Sequence, residues 1–332
     1  MLMGAVPFSV YNTSAPEQLA YVIGDAGARV VLTERQFVPA LAAAAEHGLD
    51  LTHVIVIDDA ASWSAFLRAG DGFDLEAAAA AVQPDDLLTL IYTSGTTGAP
   101  KGVQLSHASM IAMLRSIHEA WRITPGGRVL SYLPHAHAAD RWFSHYSGLM
   151  TYGATITDIA LLSDLIPTTM QVRPTFWGGV PRVWEKLKSA LQAGSFGPLE
   201  DPARVREVLG LDGCELFVTG AAPTTRDVLE FFGGLGVEIC EAWGMSETSG
   251  IGTVNRPGAV RLGSVGLPIP GMEVRLAEDD ELLCRGANIM AGYRNGGEDP
   301  WVKVALPALG LVLRDDITAA APGAGSLGRR PA

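Results

Sequence analysis

Short apolar runs recur along the chain as far as Trp243: ARVVLT, THVIVID, LLTLIY, GRVLSYL, GATIT, PTFWGG, CELFVTG and VEICEAW. Their length and β-branched content predict strands. Between several of them lie amphipathic stretches, VPRVWEKLKSALQA (Val180 to Ala193) and TTRDVLEFFGGL (Thr224 to Leu235), with apolar residues at helical spacing. Strands alternating with helices require crossover connections. The pattern therefore predicts an α/β fold with a mostly parallel sheet, and places ligands at the loops that follow strand C-terminal ends. After about Gly250 the texture changes to closely spaced Gly and Pro with short alternating runs, GSVGLPIPGMEVRLAEDDELLCRG, which predicts a small antiparallel β region. The expected division is an α/β core over 1–250, a β-rich region over 251–318 and a disordered tail over 319–332, where AAAPGAGSLGRRPA shows no periodicity.

The chain has 332 residues, 48% of them hydrophobic, enough to bury a sizeable core. Its formal charge is -12, and no Lys/Arg block stands out as a nucleic-acid footprint. A polyphosphate ligand would also meet a repulsive overall field, so a phosphate site here needs local positive potential from a lysine, backbone amides and a divalent cation. Cys214, Cys240 and Cys284 lie far apart without C-x-x-C spacing, which points to a reducing compartment and the cytoplasm rather than to a disulfide framework. The N-terminus has no basic region followed by an apolar one, and no uninterrupted apolar span reaches about 18 residues. Neither secretion nor membrane spanning is expected, while attachment to a membrane surface is left open.

The segment YTSGTTGAPKG, Tyr92 to Gly102, carries phosphate chemistry without the standard P-loop spacing. Counted from Gly95 in G-x-x-x-x-G-K-[ST], the second glycine position is Pro100 and the residue after Lys101 is Gly102. What remains is a row of hydroxyls on Thr93, Ser94, Thr96 and Thr97, two glycines, Gly95 and Gly98, that let successive N–H groups turn toward one anion, and a mobile charge on Lys101. The apolar run before it and SHASMIAMLRSIHEAW after it suggest a strand, an anion-binding loop and a helix. A solvated turn is the plain alternative. A second cluster, HAHAADRWFSH (His135 to His145), has an H-x-H pair of the kind that binds metal in hydrolases. In the hydrolase pattern H-x-H-x-D-H one residue separates the second His from Asp; here two intervene, and Asp140 is followed by Arg141.

Six blocks, YTSGTTGAPKG, YLPHAHAADR, TGAAP, EAWGMSETSG, GSVGLPIPG and LCRGANIMAGYRN, occur in the order and at about the intervals seen in adenylate-forming (AMP-binding) enzymes. From Gly4 to Tyr293 the chain resembles the N-terminal domain of an acyl-CoA synthetase, closest to long-chain fatty-acid ligases, in which PRVWEK also has a counterpart. The resemblance implies that a fatty-acid carboxylate attacks the α-phosphate of ATP, giving acyl-adenylate and pyrophosphate, and that CoA then displaces AMP. It implies that Thr93, Ser94, Gly95, Thr96, Thr97, Gly98 and Lys101 cradle the β and γ phosphates, that Gly220, Ala221 and Ala222 border adenine, and that Trp243 and Gly244 continue that pocket. Ser246 replaces the more usual Thr as a hydroxyl for phosphate, and Glu247 matches the Mg2+ ligand. His137 matches a histidine beside the acyl carboxylate and the γ phosphate, while His135 replaces an apolar residue.

Both ends depart from the family. The first block starts at residue 4, so elements of the first subdomain are expected to be missing. After Asn295 the chain degenerates, and only LRDDI places an acid, Asp316, near the interval of the ribose-binding Asp. No segment matches the C-terminal lid or its catalytic lysine. Lys101, His137 and Glu247 are the expected catalytic residues, and ATP, Mg2+ and CoA the expected cofactor and co-substrates. A non-catalytic nucleotide- and acyl-binding remnant is the alternative, with a metallo-hydrolase behind it.

Overall fold

The computed structural model describes residues 1–93, 99–196, 201–277, 281–296 and 302–305. Each of the eight apolar runs forms a strand, and the full series is β1 (Val30–Thr33), β2 (His53–Val56), β3 (Leu87–Thr93), β4 (Lys101–Ser106), β5 (Arg128–Ser131), β6 (Thr155–Asp158), β7 (Phe176–Gly179), β8 (Leu216–Thr219), β9 (Ile239–Trp243), β10 (Thr253–Val254), β11 (Leu267–Pro268), β12 (Met272–Leu276), β13 (Glu281–Gly286), β14 (Gly292–Tyr293) and β15 (Val302–Ala305). Ser94 to Gly98, Asp316 and the 319–332 tail lie outside the described residues. The described residues divide into two compact units, one built from the N-terminal 108 residues with the segment from Met290, the other from Ser109–Ile289 with the strand at 302–305.

In the first unit, β1 and β2 pair in parallel, and helix Pro16–Ala26 packs on helix Val38–Ala45 through Leu19, Ala20, Ile23, Leu41 and Ala44. Proline opens the first of these helices, where no N–H partner is needed, and Gly27 closes it in the left-handed region at φ +68°. The expected strand–loop–helix order is corrected at the phosphate loop. KGVQLS is itself a strand, β4, antiparallel to β3, and the helix begins only at His107. A strand rather than a helix therefore follows the loop, so no helix dipole of the P-loop kind stands directly behind it. The tight β3–β4 pairing depends on Gly102: a Cβ there would lie 3.0 Å from the Tyr92 ring. β14 adds to the other edge of β4.

The second unit holds the main sheet, in the order β11-β10-β9-β8-β7, with β7, β8 and β9 parallel as the alternating pattern predicts. Helices Pro181–Gln192 and Arg226–Gly234 are the crossovers. They bury Trp184, Leu187, Val228, Leu229 and Phe232 against Trp177 and Phe217, with Trp184 fully buried, its ring 4.5 Å from Trp177 and 4.9 Å from Phe232. Removing one large side chain from such a core costs about 3–5 kcal/mol. β5 and β6 form a parallel pair, and Thr175 N–H donating to Arg128 O (3.0 Å) ties the start of β5 to the segment leading into β7. β10 and β11 extend the main sheet antiparallel, while β12, β13 and β15 form a separate antiparallel sheet. Each crossover returns the chain to the start of the next parallel strand, so β8 and β9 end on the same side of the sheet, where Gly220 and Gly244 follow them.

Candidate functional site

In the first unit, Thr93 closes β3 and Lys101 opens β4, and the two are register partners across the mouth of the hairpin. Lys101 is exposed, and its Nζ lies 5.2 Å from the centroid of the Tyr293 ring. The frame around them is fixed by Asp25: Tyr92 Oη donates to its Oδ2 (2.6 Å), Asn295 Nδ2 to its Oδ1 (2.8 Å) and Arg294 Nε to its carbonyl (2.5 Å). Burial and the neighbouring Asp25 hold the Tyr92 phenol far above its usual pKa, so it keeps the proton it donates to Asp25. A hydroxyl-bearing residue and a lysine therefore stand as register partners at the ends of β3 and β4.

In the second unit, two loops leave the ends of β8 and β9. Thr219 and Thr224 close the base of the first through a hydroxyl–hydroxyl bond of 2.8 Å. A Cβ on Gly220 would lie 2.9 Å from Ala242 O, so only glycine lets β8 and β9 stay this close. Ala221 takes a left-handed φ of +68°, and both Ala221 and Ala222 are exposed. At the end of β9, a Cβ on Gly244 would lie 2.0 Å from Gly250 O. The turn beyond it is clamped by Thr248, whose Oγ1 accepts from Met245 N (3.1 Å) and donates to Met245 O (3.0 Å). That turn leaves Ser246 half-buried and Glu247 buried.

Trp243 is 7% exposed, and among the described residues its Nε1 has no hydrogen-bond partner; the Oε2 of Glu241 and the Oγ1 of Thr253 are likewise buried and without a partner among them. Glu241 and Trp243 are two apart on β9, and Thr253 is the register partner of Trp243, so the three share one sheet face. Burial pushes the Glu241 carboxyl up to about 6 against backbone hydrogen bonds at Gly263 and Thr224. Buried polar atoms left without partners are costly unless a ligand or water completes them. Glu241 was missed in the sequence, although the period of two through EAW puts it on the face of Trp243.

His137 caps the short turn Ala138–Asp140, its Nδ1 accepting Ala139 N–H at 3.1 Å. Desolvation holds its pKa below the usual imidazole value, so the neutral ring carries its proton on Nε2 as an outward donor. His137 does not join a metal-ligand set with its H-x-H partner. His135 instead lies with Asp140 and His145, whose ligand atoms all fall within 4.8 Å of one another. His145 enters because Arg141–Thr151 winds as a wider π-type helix, in which Tyr152 N donates to Ser147 O (3.1 Å). The linear spacing, which misses H-x-H-x-D-H by one residue, marked the stretch but not which of its residues meet. Cys214, Cys240 and Cys284 are buried free thiols, pushed up to about 12 by desolvation.

The profile of the AMP-binding enzyme family matches residues 1–294. A Mycobacterium tuberculosis protein named as a fatty-acid–CoA ligase, fadD11, is 39% identical over 269 residues, covering 68% of this chain and 47% of that protein. The long-chain-fatty-acid–CoA ligase ACSBG2 of Xenopus laevis is 31% identical over 356 residues, covering 88% of this chain and 48% of its own. The chain thus spans about half the length of these relatives. Among solved structures, ATP-bound MatB from Rhodopseudomonas palustris matches with a TM-score of 0.68 and 26% identity over 89% of this chain and 58% of that one. The inhibitor-bound N-terminal domain of FACL13 from M. tuberculosis matches in fold, with a TM-score of 0.75 at 22% identity over 91% of this chain and 76% of that one.

Proposed function

The chain belongs to the family of AMP-binding enzymes, and from that premise we propose that it carries the nucleotide and acyl site of an ATP-dependent ligase that activates a long-chain fatty acid to its adenylate and then to the CoA thioester. The observation that carries this reading is the paired ends of β8 and β9. Gly220 and Gly244 hold the backbone where no Cβ fits, and beside them Glu241 and Trp243 leave buried polar atoms unpartnered. An adenine ring fits that chemistry, since its exocyclic amine is a donor suited to a carboxylate oxygen and its flat face suits an indole.

In this reading Gly220, Ala221, Ala222 and Trp243 border the base. Thr93 and Lys101, with the hairpin loop between them, bind the β and γ phosphates and so stabilise charge on the departing pyrophosphate. Ser246 donates to a phosphate oxygen. Glu247, a buried hard-oxygen donor, is the residue that would hold Mg2+, and the ion would offset polyphosphate charge in a protein of net charge -12. His137 presents Nε2–H to the acyl carboxylate, orienting it for attack on the α-phosphate. CoA thiol then displaces AMP. The relatives' names support a fatty acid as the acyl donor. Among the described residues no helix is long and apolar enough to cross a membrane.

The test is a pair of nucleotide titrations followed by turnover. Lys101→Ala is expected to weaken ATP far more than AMP, which lacks the groups the lysine would bind; equal losses would remove Lys101 from the phosphate site. Glu247→Gln is expected to abolish the Mg2+ dependence of ATP binding and leave AMP nearly unchanged. No segment of residues 1–332 matches the family's lid lysine, and losing one preorganised cation of that kind costs about 10² to 10³ in rate. Residues 1–332 assayed alone should therefore bind ATP yet release pyrophosphate and form thioester slowly. Loss of nucleotide binding altogether would overturn the reading.

A further inference from the structure

A second chemistry converges in the same unit, on residues other than those at the ends of β8 and β9. His135 follows β5, Asp140 ends the turn after it, and His145 lies one winding into the helix that follows. We propose that His135, Asp140 and His145 form a binding site for a divalent transition ion of the zinc type, with one coordination position left open.

The donors are arranged for it. Asp140 is 1% exposed, and its two oxygens have different surroundings. Oδ1 accepts the backbone N–H groups of Tyr132 (3.2 Å) and Leu133 (3.0 Å), which fixes the plane of the carboxylate. Oδ2 receives the Ser131 hydroxyl at 2.8 Å and lies 3.0 Å from His135 Nε2. Two ligands each about 2.0 Å from a tetrahedral ion lie about 3.3 Å apart, so these two atoms already stand near ligand spacing. The third donor is prepared by Ser144. Its hydroxyl has one proton, and two of its contacts, Asp140 O at 2.7 Å and Asp140 Oδ2 at 3.2 Å, are atoms that only accept. The remaining contact, 2.7 Å to His145 Nδ1, is then filled by the imidazole N–H donating to Ser144. That tautomer leaves His145 Nε2 bare, as a metal requires, and a serine behind the imidazole is the kind of outer contact that orients ligating histidines.

The two imidazoles stand edge to face with centroids 4.9 Å apart. Asp158, the register partner of Ser131 across β5 and β6, adds a second negative charge that acts on both rings, opposed by the buried Arg141. Two imidazoles with one carboxylate select a borderline ion such as Zn2+ over Mg2+, which favours oxygen throughout. Binding displaces the proton His135 Nε2 shares with Asp140 to solvent. The ion would join three backbone stations that bracket His137, fixing the turn that presents it.

Zn2+ alone, titrated into the whole chain against a competing chromogenic chelator, should bind with one equivalent and raise the melting temperature with rising concentration. His135→Leu and His145→Gln should each weaken that binding more than about a hundredfold, and Ser144→Ala, which acts behind His145, about ten- to a hundredfold. His118→Gln and Glu247→Gln should leave it intact, the latter separating this site from any Mg2+ site. Co2+ in place of Zn2+ should give the intense visible bands of a four-coordinate ion in the unsubstituted chain, a readout that needs no variant to fold. A weak six-coordinate Co2+ spectrum, or zinc lost on His137→Gln but kept on His145→Gln, would overturn the proposal.

Discussion

The ends of β5 and β9 belong to one unit and both present polar side chains beyond a strand, yet they are built in opposite ways. Beyond β5, Asp140 gathers two backbone amides, a serine hydroxyl and a histidine, so that its buried charge is completed within the protein. Burial alone would push that carboxyl up, but hydrogen bonds from His135, Leu133 and Ser131 prevail and hold it below the usual carboxylate value. At β9 the backbone is fixed by glycines while Glu241, Trp243 and Thr253 keep unpartnered atoms. A self-satisfied network stabilises the fold without a ligand; an unsatisfied cradle stabilises a ligand at the expense of the fold.

If that contrast is right, breaking the first should damage stability most. Asp140→Ala removes a buried charge on which Ser131, His135 and two backbone amides converge, and should cost about 3–5 kcal/mol by chemical denaturation in chelator. A loss below about 1 kcal/mol would mean that water already shares those donors. Gly244→Ala comes next. Its Cβ would meet the Gly250 carbonyl, which is backbone and cannot rotate away, so β9 must shift. We expect about 1–3 kcal/mol of overpacking cost, together with at least a tenfold loss of AMP affinity. Affinity kept alongside lost stability would detach the end of β9 from the nucleotide.

The third test has the opposite sign. The folded pKa of Glu241 is raised from 4.5 to about 6, so the folded state holds this proton more tightly than the unfolded one. Its contribution is fully present below pH 4.5 and declines as pH rises toward 6, leaving a penalty above. Glu241→Gln should therefore stabilise the protein at neutral pH by roughly 1 kcal/mol after residual solvation is allowed for, with no gain below pH 4.5. The same substitution should weaken AMP if the carboxylate accepts the adenine amine. A gain that does not depend on pH would point to packing instead.

The two ends were also unequally legible. The strands of the main sheet and both crossover helices follow from short apolar runs and from a 3.6-residue period, because parallel strands buried on both faces leave that imprint. EAWG and TGAAP stood out as two of the six ordered blocks of the family resemblance, and the structure adds that Gly220 and Gly244 stand where no Cβ fits. The Asp140 cluster was legible as a stretch but not as a set: HAHAADRWFSH misses the hydrolase spacing H-x-H-x-D-H, and a π-type winding with no simple periodicity in the sequence brings His145, rather than His137, to His135 and Asp140. Strand β4 was missed for a related reason. KGVQLS is short, opens with a charge and a glycine, and gains its partners only from β3 and β14.

The smallest expected effect lies at Ala221. A non-glycine residue in the left-handed region costs about 1–2 kcal/mol, and Ala221 holds φ +68° at an exposed position. Ala221→Gly relieves that strain but adds about 0.5–1 kcal/mol of backbone entropy to the unfolded chain, so the net gain in stability should stay within about 1 kcal/mol. Binding separates the two contributions. If the alanine keeps the loop preorganised against the base, the glycine variant must order the loop when AMP binds, and affinity should fall a fewfold while stability holds or rises. Stability and affinity rising together would mean that the left-handed alanine is strain without use, and the loop after β8 would then resemble the satisfied end of β5 more than the cradle at β9.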